Sequence, residues 1–149
     1  MSAPLWPAGL EPHRASVSVR NEARVALAPE AVWERLVDAT AWPSWYANAQ
    51  RVVLDGQARL GPGVRFRWTT LHVRVTCVVD RWEPHRVLGW TGHALGSSGH
   101  HRWILTAVPG GTRVVTEETQ TGLLPRLSSR WLSRSLRHWH QRWIEGIAP

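Results

Sequence analysis

The chain has 149 residues, of which 43% are hydrophobic and 19% charged. This balance predicts one globular domain and excludes a disordered or fibrous protein. No apolar run approaches the ~20 residues that a membrane span needs, and the N-terminus lacks the apolar segment of a signal peptide. The formal net charge of +7 comes from 18 arginines and no lysine. Because these arginines form no dense run, we expect no nucleic-acid partner. The single cysteine fits a reducing compartment, so we expect a cytoplasmic protein.

The first third of the chain predicts a strand followed by two short helices. Residues 16–27 alternate apolar and polar side chains, as a half-buried strand does. Pro29 and Glu30 are typical of the first turn of a helix, which would bury Leu36. Thr40 is the expected N-cap of a second short helix that runs through Tyr46.

Six strands and one long helix are predicted to follow. The strands are indicated by alternating apolar side chains between turns rich in glycine and proline, notably Pro109-Gly110-Gly111. From Leu123 onward, apolar residues recur at spacings of three and four and predict an amphipathic helix with an arginine-rich opposite face. Consecutive hairpins beside a separate long helix predict an α+β fold, in which an antiparallel sheet of about seven strands curls around that helix.

Four stretches of sequence resemble a known family. They are Ala28-Pro-Glu-Ala-Val-Trp33, Ala41-Trp-Pro-Ser-Trp45, Gly63-Val-Arg-Phe-Arg-Trp68, and Gly110-Gly-Thr-Arg-Val114 with Glu117-Glu118. Their order and spacing over residues 15–147 resemble the START-like (helix-grip, SRPBCC) superfamily, and within it the polyketide cyclase/dehydrase and lipid transport proteins. The resemblance implies a flexible lead-in over residues 1–14 and a single START-like domain over residues 15–149. It also implies an apolar ligand held between the sheet and the C-terminal helix.

Strand alternation predicts which side chains face that cavity. A turn at Gly110-Gly111 would place Leu105 opposite Thr116, and a turn at Thr70-Leu71 would place Phe66 opposite Val75. Rigid aromatic side chains suit a pocket for flat molecules. The predicted ligand-binding residues are Trp45, Tyr46, Phe66, Trp68, Trp90, Trp103, Gln120, Trp131 and Trp139.

Two polar residues on the same inward face are the candidate catalytic groups. Glu118 and His101 would lie diagonally across from each other, with Gln120 beside the carboxylate. A buried carboxylate needs a partner or must become neutral. Glu118 and His101 could simply be a structural pair, or they could move a proton on a bound ketone or enol. Both interpretations stay open.

Other chemistry is not expected from the sequence. Cys77 is the single cysteine, and we expect it to be a buried, inert thiol. No His-x-x-x-His pair is present, the histidines are not expected to converge, and His138 and His140 are interpreted as structural. We therefore expect no metal site and no cofactor.

Three functions remain open from the sequence. The first is a binder of a hydrophobic, ring-containing small molecule such as a lipid or polyketide. The second is a cyclase or dehydratase that uses Glu118, His101 or Tyr46 as an acid or base. The third is a protein-interaction or regulatory module. The partner is expected to be a small molecule, the oligomeric state a monomer or homodimer, and contact of the arginine face with a membrane a lesser alternative.

Overall fold

The computed structural model describes residues 5–148, and its elements follow the predicted order. The first half of the chain forms strand β1 (Val17–Val25), helix α1 (Pro29–Val37), a 3-10 helix (Ala39–Ser44), and strands β2 (Gln50–Leu54), β3 (Arg65–Thr70) and β4 (Val73–Glu83). The second half forms β5 (Val87–Ala94), β6 (Ser97–Val108), β7 (Gly111–Thr121), α2 (Leu123–Leu127) and α3 (Ser129–Ile147).

One antiparallel sheet contains all seven strands in the order β1-β7-β6-β5-β4-β3-β2. Helix α3 packs across it, and Leu132 and Leu136 of that helix are buried with Val17 and Val19 of β1. A curved antiparallel sheet around a long C-terminal helix, with two short helices after the first strand, is the helix-grip fold. The predicted α+β class is confirmed. None of the helices within residues 5–148 is long and apolar enough to cross a bilayer.

The β6–β7 hairpin has a register that differs from the prediction by two residues. Its turn is Pro109-Gly110, so Leu105 pairs with Val114 rather than with Thr116. Gly110 has a φ of 77°, which suits the second central position of a turn that begins with proline. The predicted register was wrong because either pair of central residues is compatible with the local sequence.

The β3–β4 hairpin is shifted in the same way. Its turn is Leu71-His72, so Phe66 pairs with Cys77 rather than with Val75. Both turn residues have positive φ, at 49° and 61°. Such turns are usually marked by Asn or Gly, and their absence here left the turn without a signal in the sequence. A shift of two residues keeps each side chain on its predicted face, because side chains alternate with a period of two.

The second short helix differs in type and extent from the prediction. It is a 3-10 helix that ends at Ser44, so Trp45 and Tyr46 follow it instead of lying within it. Thr40 lies inside the helix and does not cap it, and its hydroxyl donates to the Asp38 carboxylate at 3.4 Å. The helix begins at Ala39, so its N-cap position is Asp38, two residues before the predicted cap.

The C-terminal helical region is divided at Ser128, although a continuous helix was predicted. The Ser128 hydroxyl donates to the Leu124 carbonyl at 2.6 Å, and the Leu132 amide donates to the Ser128 carbonyl at 2.8 Å. A serine hydroxyl that satisfies a preceding carbonyl competes with the helical ladder. The short helix α2 therefore ends at Leu127, and α3 begins at Ser129.

Trp42 is the centre of the core. Its ring centroid lies 5.0 Å from that of Trp143 and 5.4 Å from that of Trp68, both in edge-on arrangements. Its indole N–H donates to the Leu36 carbonyl at 3.0 Å. Aromatic pairs of this kind contribute about 0.5–1.5 kcal/mol beyond the area they bury. Much of the tryptophan content therefore stabilises the fold.

The described part of the predicted lead-in lies against the outer face of the sheet. The Leu10 carbonyl accepts a hydrogen bond from the Thr119 hydroxyl at 2.7 Å, and the Arg102 guanidinium lies 4.1 Å from the Trp6 ring centroid. Residues 1–4 and Pro149 lie outside the described residues. The predicted mobility of the lead-in stays a prediction.

Candidate functional site

A cavity of about 260 Å³ lies between the concave face of the sheet and helices α2 and α3. Strands β3 to β7 supply one wall, and the two helices supply the other. Its volume is close to the lower end of the ~300–1,000 Å³ that is usual for small-molecule pockets. The cavity is therefore of a size for a compact molecule.

Aromatic rings form much of the inner wall. Trp68 and Trp90 reach the cavity from the sheet, and Trp143 reaches it from α3. The Tyr46 ring stacks on Trp143 with a centroid separation of 4.4 Å and an angle of 6°. The Trp143 indole N–H is buried and has no hydrogen-bond partner within residues 5–148. This wall offers flat apolar surfaces together with indole N–H donors, since the Trp68 N–H also has no partner among the described residues.

The mouth of the cavity is apolar. Val73, Leu95, Leu124 and Trp131 line the cavity and also remain exposed, Leu95 by 92% and Trp131 by 61%. Large exposed apolar side chains grouped at one place are typical of binding grooves. A hydrophobic molecule could therefore enter without displacing charged groups.

Three polar residues meet on the cavity wall, and we call them the His–Glu cluster: His101 of β6, Glu118 of β7 and His140 of α3. Glu118 Oε2 accepts a hydrogen bond from His140 Nε2 at 2.9 Å and lies 3.4 Å from His101 Nδ1. The two imidazole centroids are 4.6 Å apart. His101 and Glu118 are direct partners in the β6–β7 register rather than diagonal ones.

Two neighbouring side chains hold the cluster in place. His101 Nε2 is hydrogen-bonded to the Thr116 hydroxyl at 2.6 Å. The Gln120 side-chain amide donates to Glu118 Oε1 at 2.6 Å. Every polar atom of the Glu118 carboxylate therefore has a partner, as a buried charge requires.

The surroundings fix the charge states of two cluster residues. Burial alone would raise the pKa of the Glu118 carboxyl, but the hydrogen bond from His140, the nearby His101 and the Gln120 amide lower that pKa to about 2. Burial, with the neighbouring His140, lowers the pKa of His101 to about 3. At neutral pH the cluster therefore contains an ionised carboxylate beside a neutral His101 imidazole.

Two other titratable groups on the cavity wall are held in their neutral forms. Burial raises the pKa of the Cys77 thiol to about 12. Burial also raises the pKa of the Tyr46 hydroxyl above its usual range. At neutral pH Cys77 is therefore a thiol of low nucleophilicity, and Tyr46 keeps its proton.

The structure brings seven of the predicted site residues to the cavity. Glu118 and His101, the candidate catalytic groups, lie on its wall. So do five predicted ligand-binding residues: Tyr46, Trp68, Trp90, Gln120 and Trp131. The other four, Trp45, Phe66, Trp103 and Trp139, pack in or against the core and do not line the cavity. Direct contact between a ligand and any of the nine predicted ligand-binding residues stays a prediction.

His140 and Trp143 are cavity residues that the sequence analysis did not assign to the site. His140 was interpreted as purely structural, yet its Nε2 contacts Glu118 on the cavity wall. The histidines therefore do converge, contrary to expectation. His140 follows Leu132 and Leu136 at intervals of four on the buried face of α3, and that spacing was the available signal.

The cluster is capable of acid–base chemistry or of metal binding. The Glu118 carboxylate, beside the neutral His101 imidazole, can accept a proton from a bound molecule. The same residues present three potential ligand atoms, all within 4.8 Å of one another. Geometry alone is compatible with both.

The chain is similar to proteins of known structure over nearly its whole length. It is 26% identical to a hypothetical protein of Helicobacter pylori, with a TM-score of 0.88, and the match covers 99% of this chain and 95% of that one. A Thermus thermophilus protein is 16% identical, with a TM-score of 0.71, and the match covers 87% and 93% of the two chains.

A third similar structure is the di-domain ARO/CYC StfQ from the steffimycin biosynthetic pathway. It is 18% identical with a TM-score of 0.74, and the match covers 88% of this chain and 49% of StfQ. These likenesses show that the chain shares its fold with these proteins.

The chain matches a described protein family but no curated protein. Residues 16–147 match the family described as polyketide cyclase / dehydrase and lipid transport. The match leaves out the lead-in and covers every strand and helix of the described residues, including the three residues of the His–Glu cluster. The chain therefore belongs to the polyketide cyclase/dehydrase and lipid transport family.

Proposed function

We propose that the protein binds a hydrophobic, ring-containing small molecule in the cavity between the sheet and α3. The single observation that supports this proposal is an aromatic cavity wall that includes one compact polar cluster. Apolar walls with a few placed polar groups are typical of small-molecule sites. The ligand should therefore combine a flat apolar body with at least one oxygen-containing group.

The contacts on the wall indicate how such a molecule would lie. Trp68, Trp90 and Trp143 would pack against its rings, and the Trp143 N–H could donate to one of its oxygens. A ligand hydroxyl on the same side of the cavity could donate to Glu118, because the Trp143 ring centroid lies 5.3 Å from that of His101, the register partner of Glu118. Polyketides and ring-containing lipids meet this description. The match to the polyketide cyclase / dehydrase and lipid transport family supports the same ligand class.

Native mass spectrometry of freshly purified protein is the direct test. We expect a discrete complex whose ligand is released on denaturation and is hydrophobic and ring-containing. Rebinding of the extracted molecule should quench tryptophan fluorescence, because Trp68, Trp90 and Trp143 line the cavity. A protein that carries nothing and shows no thermal shift with lipids, quinones, steroids or aromatic polyketides would contradict the proposal and favour an interaction module.

A second candidate function is an acid–base enzyme of the cyclase or dehydratase type. The observation that favours it is the ionised Glu118 beside His101 and His140 on the wall of a cavity large enough for a substrate. The carboxylate could remove a proton from the carbon next to a ketone, and an imidazole N–H could donate to the oxygen. Incubation of candidate polyketides would then give product with the wild type and none with Glu118→Gln. Binding without turnover would leave only the first function.

A further inference from the structure

Three ligand atoms of the kind that transition metals prefer meet at one point of the cavity wall. His101, Glu118 and His140 each supply one such atom, and these three atoms lie within 4.8 Å of one another. The two measured edges of this triangle are 2.9 Å and 3.4 Å, both ending on Glu118 Oε2. Ligand atoms bound to one tetrahedral zinc at ~2.0–2.1 Å lie roughly 3.3 Å apart. An ion fits among them after small side-chain movements.

The three atoms come from separate elements, so their meeting is fixed by the tertiary fold. His101 and Glu118 are register partners on β6 and β7, and His140 reaches them from α3. Both imidazoles are almost fully buried. The side chains therefore have little freedom to move apart, and a preformed set of ligands binds a metal at a low cost in conformational entropy.

Neighbouring side chains orient two of the three ligands, His101 and Glu118, in the way that metal sites require. The Thr116 hydroxyl is bonded to His101 Nε2 at 2.6 Å, which can keep the proton on that nitrogen and leave the Nδ1 lone pair free. Gln120 donates to Glu118 Oε1 at 2.6 Å and leaves Oε2 for the ion. For His140 to use Nε2, its proton must lie on Nδ1, which is buried without a partner within residues 5–148.

The composition of the set indicates the class of metal. Two imidazoles with one carboxylate match zinc and similar divalent transition metals, whereas Mg²⁺ and Ca²⁺ prefer oxygen ligands. We propose that His101, Glu118 and His140 bind one divalent transition-metal ion, best represented by Zn²⁺, at the wall of the cavity. All three residues line the cavity, so the ion would keep an open position toward a bound molecule and could polarise its carbonyl oxygen. This proposal rests on the ligand set and is independent of the identity of the organic ligand.

The test uses the untagged full chain, stripped with a chelator and titrated with Zn²⁺ by isothermal calorimetry. We expect one equivalent to bind. His140→Ala and Glu118→Gln should each weaken Zn²⁺ affinity by at least about 100-fold, and Thr116→Val by about 10-fold through the supporting shell. His138→Ala is the matched control, because His138 is on the same helix but exposed. The Zn²⁺ affinity of this variant should equal that of the wild type.

Cobalt provides a second readout that does not depend on folding of the variants. Co²⁺ added to the wild-type protein should give the visible absorption of a low-coordinate nitrogen and oxygen site, and added Zn²⁺ should abolish it. The proposal is overturned if the folded wild type binds no Zn²⁺, or if His140→Ala and Glu118→Gln, shown folded by circular dichroism, bind it as tightly as the wild type. In that case the His–Glu cluster is a hydrogen-bonded group only.

Discussion

Glu118 is a largely buried carboxylate that lines the cavity and has a hydrogen-bond partner for each of its oxygens. Its carboxylate accepts hydrogen bonds from His140 at 2.9 Å and from Gln120 at 2.6 Å, and its side chain is only 15% exposed. Taking such a charge out of water is costly unless each oxygen is satisfied. Because each oxygen is satisfied here, the carboxylate can remain ionised in an apolar cavity, ready to contact a ligand.

Replacing this charge should lower stability. In the presence of a chelator, Glu118→Gln should reduce the free energy of unfolding by about 1.5–3 kcal/mol, since charge-assisted hydrogen bonds become neutral ones. Guanidinium unfolding at neutral pH measures the change. Glu145→Gln is the control, because Glu145 forms only an exposed pair with Arg142 and should change stability by less than about 0.5 kcal/mol. Equal stability of Glu118→Gln and wild type would mean that the cluster adds nothing to the fold.

The edge of the sheet depends on the close approach of β1 to the β6–β7 turn. Gly111 begins β7, and a Cβ atom built there would lie 2.1 Å from the Val25 carbonyl oxygen of β1. No side chain fits at that distance, so the strands would have to separate. Gly111 is therefore a requirement of strand packing rather than of turn conformation.

Gly111→Ala should accordingly destabilise the sheet edge, by about 1–3 kcal/mol or more, as overpacking does. The matched control is Gly61→Ala, where the nearest atom to an added Cβ is a Val64 methyl at an ordinary 3.6 Å. That variant should remain within about 0.5 kcal/mol of wild type. Denaturant unfolding of the two variants compares them directly, and equal midpoints would contradict the assigned contact with Val25.

Strand faces could be predicted from the sequence, but pairing could not. Alternation along each strand is a local property, so the inward positions of Trp68, Trp90 and Glu118 followed from it. Register depends on which residues occupy the turn, and Leu71-His72 adopts a positive-φ turn without the usual Asn or Gly. The predicted registers of both hairpins were therefore wrong by two residues, although each side chain was assigned to the correct face of the sheet.

The composition of the site was harder to predict than its location. The meeting of His140 with His101 and Glu118 depends on how α3 crosses the sheet, and no local pattern determines that crossing. Likewise, the strand pattern gave Trp68 and Trp103 the same inward assignment, yet only Trp68 lines the cavity. Which inward side chain fills the core and which borders a void is decided by packing in three dimensions.

At the scale of the whole molecule, the core and the cavity share side chains. Trp68 and Trp143 pack on Trp42 in the core and also line the cavity, which opens through exposed apolar residues. A ligand that binds only the folded state adds its own free energy by mass action. Stability should therefore depend on ligand concentration while the fold persists without it.

A variant that fills the cavity tests whether the ligand binds there. Val75 lines the cavity from β4 and is half-buried, so Val75→Phe should occupy the space of the ligand and weaken its binding at least tenfold. Val53→Phe is the control, because Val53 is exposed on β2 and does not line the cavity. With extracted ligand at about 100 times its Kd, the wild type and Val53→Phe should gain about 2.7 kcal/mol in the free energy of unfolding.

Val75→Phe should gain much less under the same conditions, and its unfolding midpoint without ligand should stay close to that of the wild type. Denaturant unfolding with and without ligand measures both quantities. If Val75→Phe gains as much as the control, the ligand binds elsewhere, for example on the exposed rim formed by Leu95 and Trp131. If ligand stabilises only the wild type and Val53→Phe, then the cavity beside the His–Glu cluster is the binding site, and its polar residues face whatever the protein carries.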